Sequence, residues 1–332
     1  MSCYTTTTIE NRKALCKLIL PREICAGMLV KDYINQISDR LETGGLFFGH
    51  GTENAGDEAC YIVFASLNLD WLEYETEMYR EITAQEKELI DRKVNMRIDK
   101  RIPAAYLVGM AWFAGYPFYS DNRALIPRSP IAELLENRLE PLLPAQPGYI
   151  LDLCCGGGCI GIVSALVFQN AHVDLVDISA DALLLSRDNV QLHHLEQRIE
   201  LICSDLFQEL SGRRYDLIVS NPPYVGVKEF ASLPAEFTHE PAIGLVSDHE
   251  GLEIPLKILL AAADYLTEQG ILILEVGHSF KALMQCCPKV PFLWLEFDHG
   301  GEGVLLLSRA QLHEYCDHFE SALSTGDSRV YP

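Results

Sequence analysis

Long apolar runs are missing from this sequence of 332 residues. No uninterrupted hydrophobic stretch approaches the roughly 20 residues of a membrane-spanning helix. The early segment ALCKLIL (14–20) is short and carries Lys17, so it lacks the form of a signal peptide. The expectation is a globular, cytoplasmic protein with no membrane partner, long enough for two domains. Zinc-type spacing is missing too. The eleven cysteines include two adjacent pairs, Cys154-Cys155 and Cys286-Cys287, but no CxxC…CxxC set and no Cys/His cluster. No metal site is expected, and the thiols read as reduced and mostly buried. Basic residues are scarce: 26 Lys and Arg stand against 47 Asp and Glu, a net charge of −21. Such a surface repels phosphate backbones at long range, so no direct nucleic-acid substrate is expected and a basic protein is the favoured partner. Plain solubility accounts for the same charge. Internal repeats and low-complexity tracts are absent as well.

What is present changes character near residue 145. Before it, helical periodicity dominates: Ile131, Leu134, Leu135 and Leu139 form one apolar stripe, with Ser129 as the expected N-cap and Pro130 at the first helical position. Ile82, Leu89, Ile90 and Val94 mark another amphipathic segment. Between them, MAWFAGYPFYSDNRALIP carries the aromatic residues and turn cluster of a β-hairpin. After the linker PAQPG (144–148), short apolar runs recur at 149–153, 172–177, 199–202, 216–220, 271–276, 292–297 and 303–308. Helical stretches are expected between the first five. Glycine-rich DHGGEG joins the last two, which predicts an antiparallel hairpin ending the sheet. Continuous apolar strands alternating with helices indicate a parallel sheet covered on both faces. The expected architecture is α/β: a doubly wound, seven-stranded, mostly parallel, Rossmann-like sheet with a smaller helical N-terminal domain and hairpin. The expected divisions are 1–110 (helical, substrate recognition), 111–145 (hairpin and linking helix), 146–312 (the sheet domain) and 313–332 (a C-terminal tail).

Ligands of such sheets bind at the carboxyl ends of the strands. The first strand ends at Asp152 and runs into Cys154, Cys155, Gly156, Gly157 and Gly158, a glycine-rich entry to a helix. The second strand ends at Asp177, placed to take two hydrogen bonds from a ribose diol. The third leads to Asp205, placed to accept from an adenine amine, with Leu206 beside the ring. Each acid alone reads as a solvated loop residue; three at successive strand ends describe an adenosine site. The loop lacks the GxGxxG fingerprint of dinucleotide binding. An acid two residues before the turn suits an ammonium group, such as the amino-acid end of S-adenosylmethionine, better than a pyrophosphate.

The fourth strand ends in Ser220-Asn221-Pro222-Pro223-Tyr224. Proline restricts its predecessor to extended geometry, which makes this a stiff turn. It offers two acceptors, the Asn221 side-chain carbonyl and the Pro222 main-chain carbonyl. A planar NH₂ group can donate one hydrogen to each, with the Tyr224 ring on its flat face, and attack the sulfonium methyl in line. Orientation and a dry site supply the gain. A bare NPPY is otherwise a rigid surface turn, and the candidate amino groups are adenine, the guanine exocyclic amine and a glutamine amide.

The set DLCCGGGCIG, VDLVDIS, CSDLF and SNPPYV resembles the glutamine-amide branch of class I S-adenosylmethionine-dependent methyltransferases. The segment 101–135, with EFTHEPAIGLVSDHEGL (236–252), LEVGH and WLEFDHGGEGVLLL, resembles the glutamine methyltransferases of ribosomal protein three of the large subunit. Release-factor methyltransferases usually carry a PRPETE-like stretch where this chain has PRSPIAE. The resemblance covers roughly residues 80 to 310. It implies cofactor contacts at Cys154, Cys155, Gly156, Gly157, Gly158, Asp177 and Leu206, with Asp205 alongside. It implies an amide-binding role for Asn221, completed by Pro222 and Tyr224. Two positions depart: Cys154 stands where glycine is common and Gly157 where serine or threonine is. Arg128 either lines the substrate entrance or pairs with an acid; His239 and Glu240 either touch substrate or brace their loop. The alternatives are a release-factor methyltransferase, a nucleic-acid amino methyltransferase and a non-catalytic ribosome assembly factor.

Overall fold

The computed structural model describes residues 27–143 and 145–327. Residues 1–26 of the expected N-terminal domain, with the segment 14–20, lie outside the described residues, as do Pro144 of the linker and the tail end 328–332.

The N-terminal helices Val30–Thr43, Ala55–Leu67 and Ala84–Lys100 enclose a core of their own, including Ile37, Ile62, Phe64, Ile90 and Val94. Thr83 and Glu86 close the start of the third helix with a reciprocal capping box. The hairpin follows as β1 (Met110–Phe113) and β2 (Tyr116–Tyr119), turning at Ala114-Gly115. The next helix runs Ile131–Glu136, starting one residue later than the sequence suggests, and the Ser129 hydroxyl accepts from the Ile131 amide. Ile131, Leu135 and Leu139 are buried against the sheet domain.

Seven strands form the main sheet: β3 (Tyr149–Leu153), β4 (His172–Asp177), β5 (Ile199–Cys203), β6 (Tyr215–Ser220), β7 (Leu266–Glu275), β8 (Leu293–Trp294) and β9 (Val304–Ser308). Their order is β5-β4-β3-β6-β7-β9-β8, parallel through β7 and antiparallel thereafter. Alternate residues serve opposite faces. Leu151, Ile218, Leu272 and Leu305 enter one core cluster; Ile150, Leu217, Ile271 and Leu306 enter the other. Each such side chain contributes roughly 1.5–3 kcal/mol on burial, so the two-sided pattern forces a layered α/β fold. The terminal hairpin forms as expected, though β8 keeps only two paired residues.

Two expectations change. No helix joins β5 to β6. Residues 204–214 cross as turns, with Leu206 at a positive φ of 49° and Gly212 at 80°. Buried Phe207 and Leu210 cover the sheet where a helix would lie. Eleven residues crossing from the sheet edge past two strands leave too little chain for a helix. The expected tail is also structured: helix Cys316–Asp327 buries Phe319 and Ala322 in the core of the sheet domain. Among the described residues no helix is long and apolar enough to cross a membrane, and no group of three metal-ligating residues converges. The described cysteines are all free, with Cys159 and Cys287 buried but Cys203 and Cys286 exposed.

Candidate active site

The strand order reverses direction between β3 and β6, which flank each other in the middle of the sheet. Leu153 pairs with Ser220 in register, and the Ser220 hydroxyl donates to the Leu153 carbonyl at 2.6 Å. The glycine-rich turn and the Asn-Pro-Pro-Tyr turn therefore leave the sheet side by side at its switch point, where open α/β sheets bind ligands. Two adjacent clefts with cavity volumes of about 190 and 200 Å³ open there.

The first cleft is lined by Asp177, Ile178, Ser204, Asp205 and Leu206, with Cys154, Gly156, Asn221 and Pro223 along one side. Asp177 braces the turn itself: its carboxylate accepts from the Gly156 amide and from the Ser179 amide, both at 2.8 Å. Burial raises its pKa against those hydrogen bonds. Asp205 is exposed, with Gln208 donating to it at 3.2 Å. Ile178 remains 52% exposed although it lines the cleft, an apolar edge left for a flat ring. Carboxylates at the ends of β4 and β5, with Ile178 and Leu206 as apolar walls, fit the diol, amine and ring faces of an adenosine.

The turn is under conformational demand. Cys154 sits at φ 61°, the left-handed region where glycine is favoured. Gly158 has φ 80°, and a Cβ there would come within 3.0 Å of Leu175. Gly156 and Gly157 face inward, where the Ser186 hydroxyl donates to the Gly156 carbonyl and Asn189 to that of Gly157. Cys155 and Gly157 line the second cleft rather than the first, and Gly158 lines neither. Asp152 also lies outside both linings. It is 1% exposed, one carboxylate oxygen accepts from the Gly161 amide at 2.7 Å, and the other has no hydrogen-bond partner. Burial pushes its pKa up to about 7. The structure thus gives Asp152 the task of tying the turn to the helix Cys159–Val167 at its positive end.

The second cleft is lined by Arg128, Ser129, Asn221, Pro222, Tyr224 and Glu275, among others, and shares Leu125, Cys154, Gly156, Asn221 and Gly244 with the first. Among the described residues, neither the Asn221 side chain nor the Pro222 carbonyl has a hydrogen-bond partner, so both acceptors remain for a ligand. Tyr224 is held at both ends. Its hydroxyl donates to Glu275 at 2.7 Å and its carbonyl accepts from the Ser279 hydroxyl at 2.8 Å. Gly251, at φ 89°, presses on that same carbonyl, where any Cβ would collide. Glu275 also accepts from the Ser129 hydroxyl at 2.5 Å; burial raises its pKa against both hydrogen bonds. Glu275 closes its strand as Asp152 and Asp177 close theirs, so the acid-at-strand-end pattern was the signal that could have singled it out.

Arg128 answers to both of its readings: it lines the second cleft and forms a bidentate pair with Glu240 at 2.6 and 2.8 Å. Burial would raise the Glu240 pKa, but His50, 3.3 Å away, and the Arg128 pair hold it down to about 2. Glu240 further accepts from the Ile126 amide, so it braces the entrance. His239 is half-buried and bonds the Lys100 carbonyl at 2.7 Å. A buried cluster behind this loop joins the domains: Arg97, 1% exposed, donates to Glu58 at 2.7 Å and to Glu236 at 3.0 Å.

Residues 132–250 match the family model of the methyltransferase small domain. The chain is 42% identical to the ribosomal protein uL3 glutamine methyltransferase of Francisella tularensis over 293 residues, 88% of this chain and 93% of that one. It is also 42% identical to the enzyme of the same name from Neisseria gonorrhoeae, covering 85% of this chain and 95% of that one. The chain belongs to the ribosomal protein uL3 glutamine methyltransferase family. Among solved structures, a methyltransferase from Pyrococcus furiosus aligns at 17% identity with a TM-score of 0.43, covering 68% of this chain and 99% of that one. Family membership makes this chain a methyltransferase, and its Asn-Pro-Pro-Tyr turn borders both clefts.

Proposed function

We infer that this chain transfers a methyl group from S-adenosylmethionine to the side-chain amide nitrogen of a glutamine in large-subunit ribosomal protein uL3, leaving S-adenosylhomocysteine. The observation that carries the reading is the position of Asn221, which lines both clefts beside Cys154. The first cleft holds the cofactor: Asp177 and Asp205 take the ribose and adenine donors, Ile178 and Leu206 flank the ring, and the Cys154–Gly158 turn passes beneath. Asp152 lies behind that turn and holds it against the helix that follows. Bound there, the cofactor supplies an activated methyl. In the second cleft the Asn221 and Pro222 oxygens accept the two amide hydrogens and fix the nitrogen in the plane between the clefts. Tyr224, pinned by Glu275, forms a rigid wall against the amide, and Pro223 stiffens the turn. Positioning of this kind supplies the rate without a strong base during attack, and the proton leaves the nitrogen after the N–CH₃ bond forms. The acidic surface steers a basic ribosomal protein toward the site. The reading places the enzyme in the cytoplasm and makes no nucleic acid its substrate.

The test is incubation with labelled S-adenosylmethionine and, separately, uL3, a release factor and ribosomal RNA, followed by peptide mass spectrometry. Label on one glutamine of uL3 is expected. Label confined to the release factor or to RNA overturns the assignment.

A further inference from the structure

A third cleft lies on the N-terminal side of the entrance, lined by Tyr61, Trp71, Trp112, Thr52, Ile126 and Pro127 among others. Ile126 and Pro127 also line the second cleft, so one segment of chain borders both. Trp71 and Trp112 are large aromatics left 40% and 38% exposed. Their rings meet edge to face at 6.1 Å, and Tyr61 meets Trp112 the same way at 5.7 Å. Trp71 is fixed from behind by stacking on Phe64 at 4.5 Å, and the Tyr61 hydroxyl is tied to the Met110 carbonyl. These are preset rings at near right angles, a corner of π faces.

The surroundings are acidic. From Leu41 to Tyr79 the sequence holds eight acidic residues and neither Lys nor Arg. Exposed Glu53 follows the lining residue Thr52. Asp70 and Glu73 flank Trp71, and Asp57 lies one helical turn before Tyr61. Of the eight, Glu58 is neutralised by buried Arg97. An aromatic corner attracts a cation through the ring quadrupole, and flanking carboxylates add long-range attraction.

We propose that this cleft binds a lysine or arginine side chain of the substrate polypeptide, close in sequence to the methylated glutamine, and so helps to choose which glutamine enters. The proposal rests on the reading of the second cleft as the glutamine site. An apolar substrate residue would gain nothing from the acids, and a phosphate would be repelled by them.

Two measurements test it. In the first, Lys and Arg residues near the modified glutamine of uL3 are changed singly to Ala and assayed with the parent enzyme and with Trp112→Ala. One substrate change should raise KM about tenfold with the parent, within the range of a desolvated cation–π contact. The same change should have less than about a twofold effect with Trp112→Ala, and kcat should hold throughout. Glu53→Lys/Glu73→Lys, which leaves the aromatic packing untouched, should raise KM similarly and weaken its salt dependence. In the second, N-acetyl-arginine amide is titrated against tryptophan fluorescence of the full chain, two of whose three tryptophans line the cleft. Saturable quenching is expected, lost in Trp112→Ala and absent with N-acetyl-glutamine amide. Additive effects in the first measurement, or a flat titration, overturn the subsite. A parent enzyme that leaves uL3 unmethylated overturns the substrate reading instead, and the titration still decides the subsite.

Discussion

The first cleft takes its carboxylates from successive strand ends of one sheet, whereas the second gathers its polar groups from segments far apart in the chain. Asp177 is fixed by the amides of Gly156 and Ser179, both contributed by the chain around the strand ends. Arg128, Ser129 and Tyr224 are fixed by Glu240 and Glu275, across 112, 146 and 51 residues. The carboxylates of the first cleft are therefore a property of the sheet. The second cleft depends on buried side-chain pairs that bring the N-terminal helices, the entrance segment and the loop 232–245 into register. One consequence is that damage to the domain junction should disable methyl acceptance before it disables cofactor binding.

The strongest challenge to that contrast is Arg97→Ala. It leaves Glu58 and Glu236 buried without their shared cation, a loss of about 3–5 kcal/mol in urea unfolding. Where the variant stays folded, substrate KM should rise while cofactor affinity holds within about twofold. Equal losses in both would erase the distinction between the clefts.

Asp152 probes the sheet side by pH. Its pKa is raised in the fold to about 7 from the ordinary carboxylate value. Its neutral form is thus the one the fold favours. That contribution is whole below about pH 4 and is lost as pH rises through about 7. Asp152→Asn should match the parent near pH 4 and exceed it by a few kcal/mol at pH 8, read from denaturant midpoints. Saturating cofactor should flatten the difference if its ammonium reaches the carboxylate; an unchanged slope would restrict Asp152 to holding the turn.

Asn221→Ala removes one of the two free acceptors between the clefts. Turnover should fall by about 10²-fold or more, with the cofactor dissociation constant within about twofold by calorimetry. Parental turnover would remove Asn221 from the reaction. Asp177→Asn should show the converse and smaller pattern. Cofactor affinity should weaken about tenfold, the scale of a hydrogen bond to a charged group, with kcat nearly kept at saturating cofactor. A kcat loss matching that of Asn221→Ala would mean that the two clefts are not separable.

Much of the sheet side was legible because its signals are local. Runs of apolar residues marked all seven strands of the main sheet. An acid or amide at each strand end marked Asp177, Asp205 and Asn221. The missing helix between β5 and β6 was less legible, since Phe207 and Leu210 bury apolar area as a helix face would. The second cleft was legible only at its rigid turn. Glu275 carried the same acid-at-strand-end signal, but its bonds to Ser129 and Tyr224, like the pairing of Glu240 with Arg128, appear only once the chain is folded. That pairing across 112 residues depends on chain closure, which no window of sequence contains.

By itself the sequence determined a two-faced parallel sheet, a strained glycine-rich turn and a stiff diproline corner, because φ/ψ restriction and apolar periodicity are written residue by residue. Tertiary structure decided which carboxylates look into a cleft and which are spent on backbone amides. It also decided that Tyr224 is anchored through its hydroxyl and that Trp71 and Trp112 share a corner. Those outcomes depend on distances between segments, and these exist only when burial of the two core layers and the helical core has fixed them against each other.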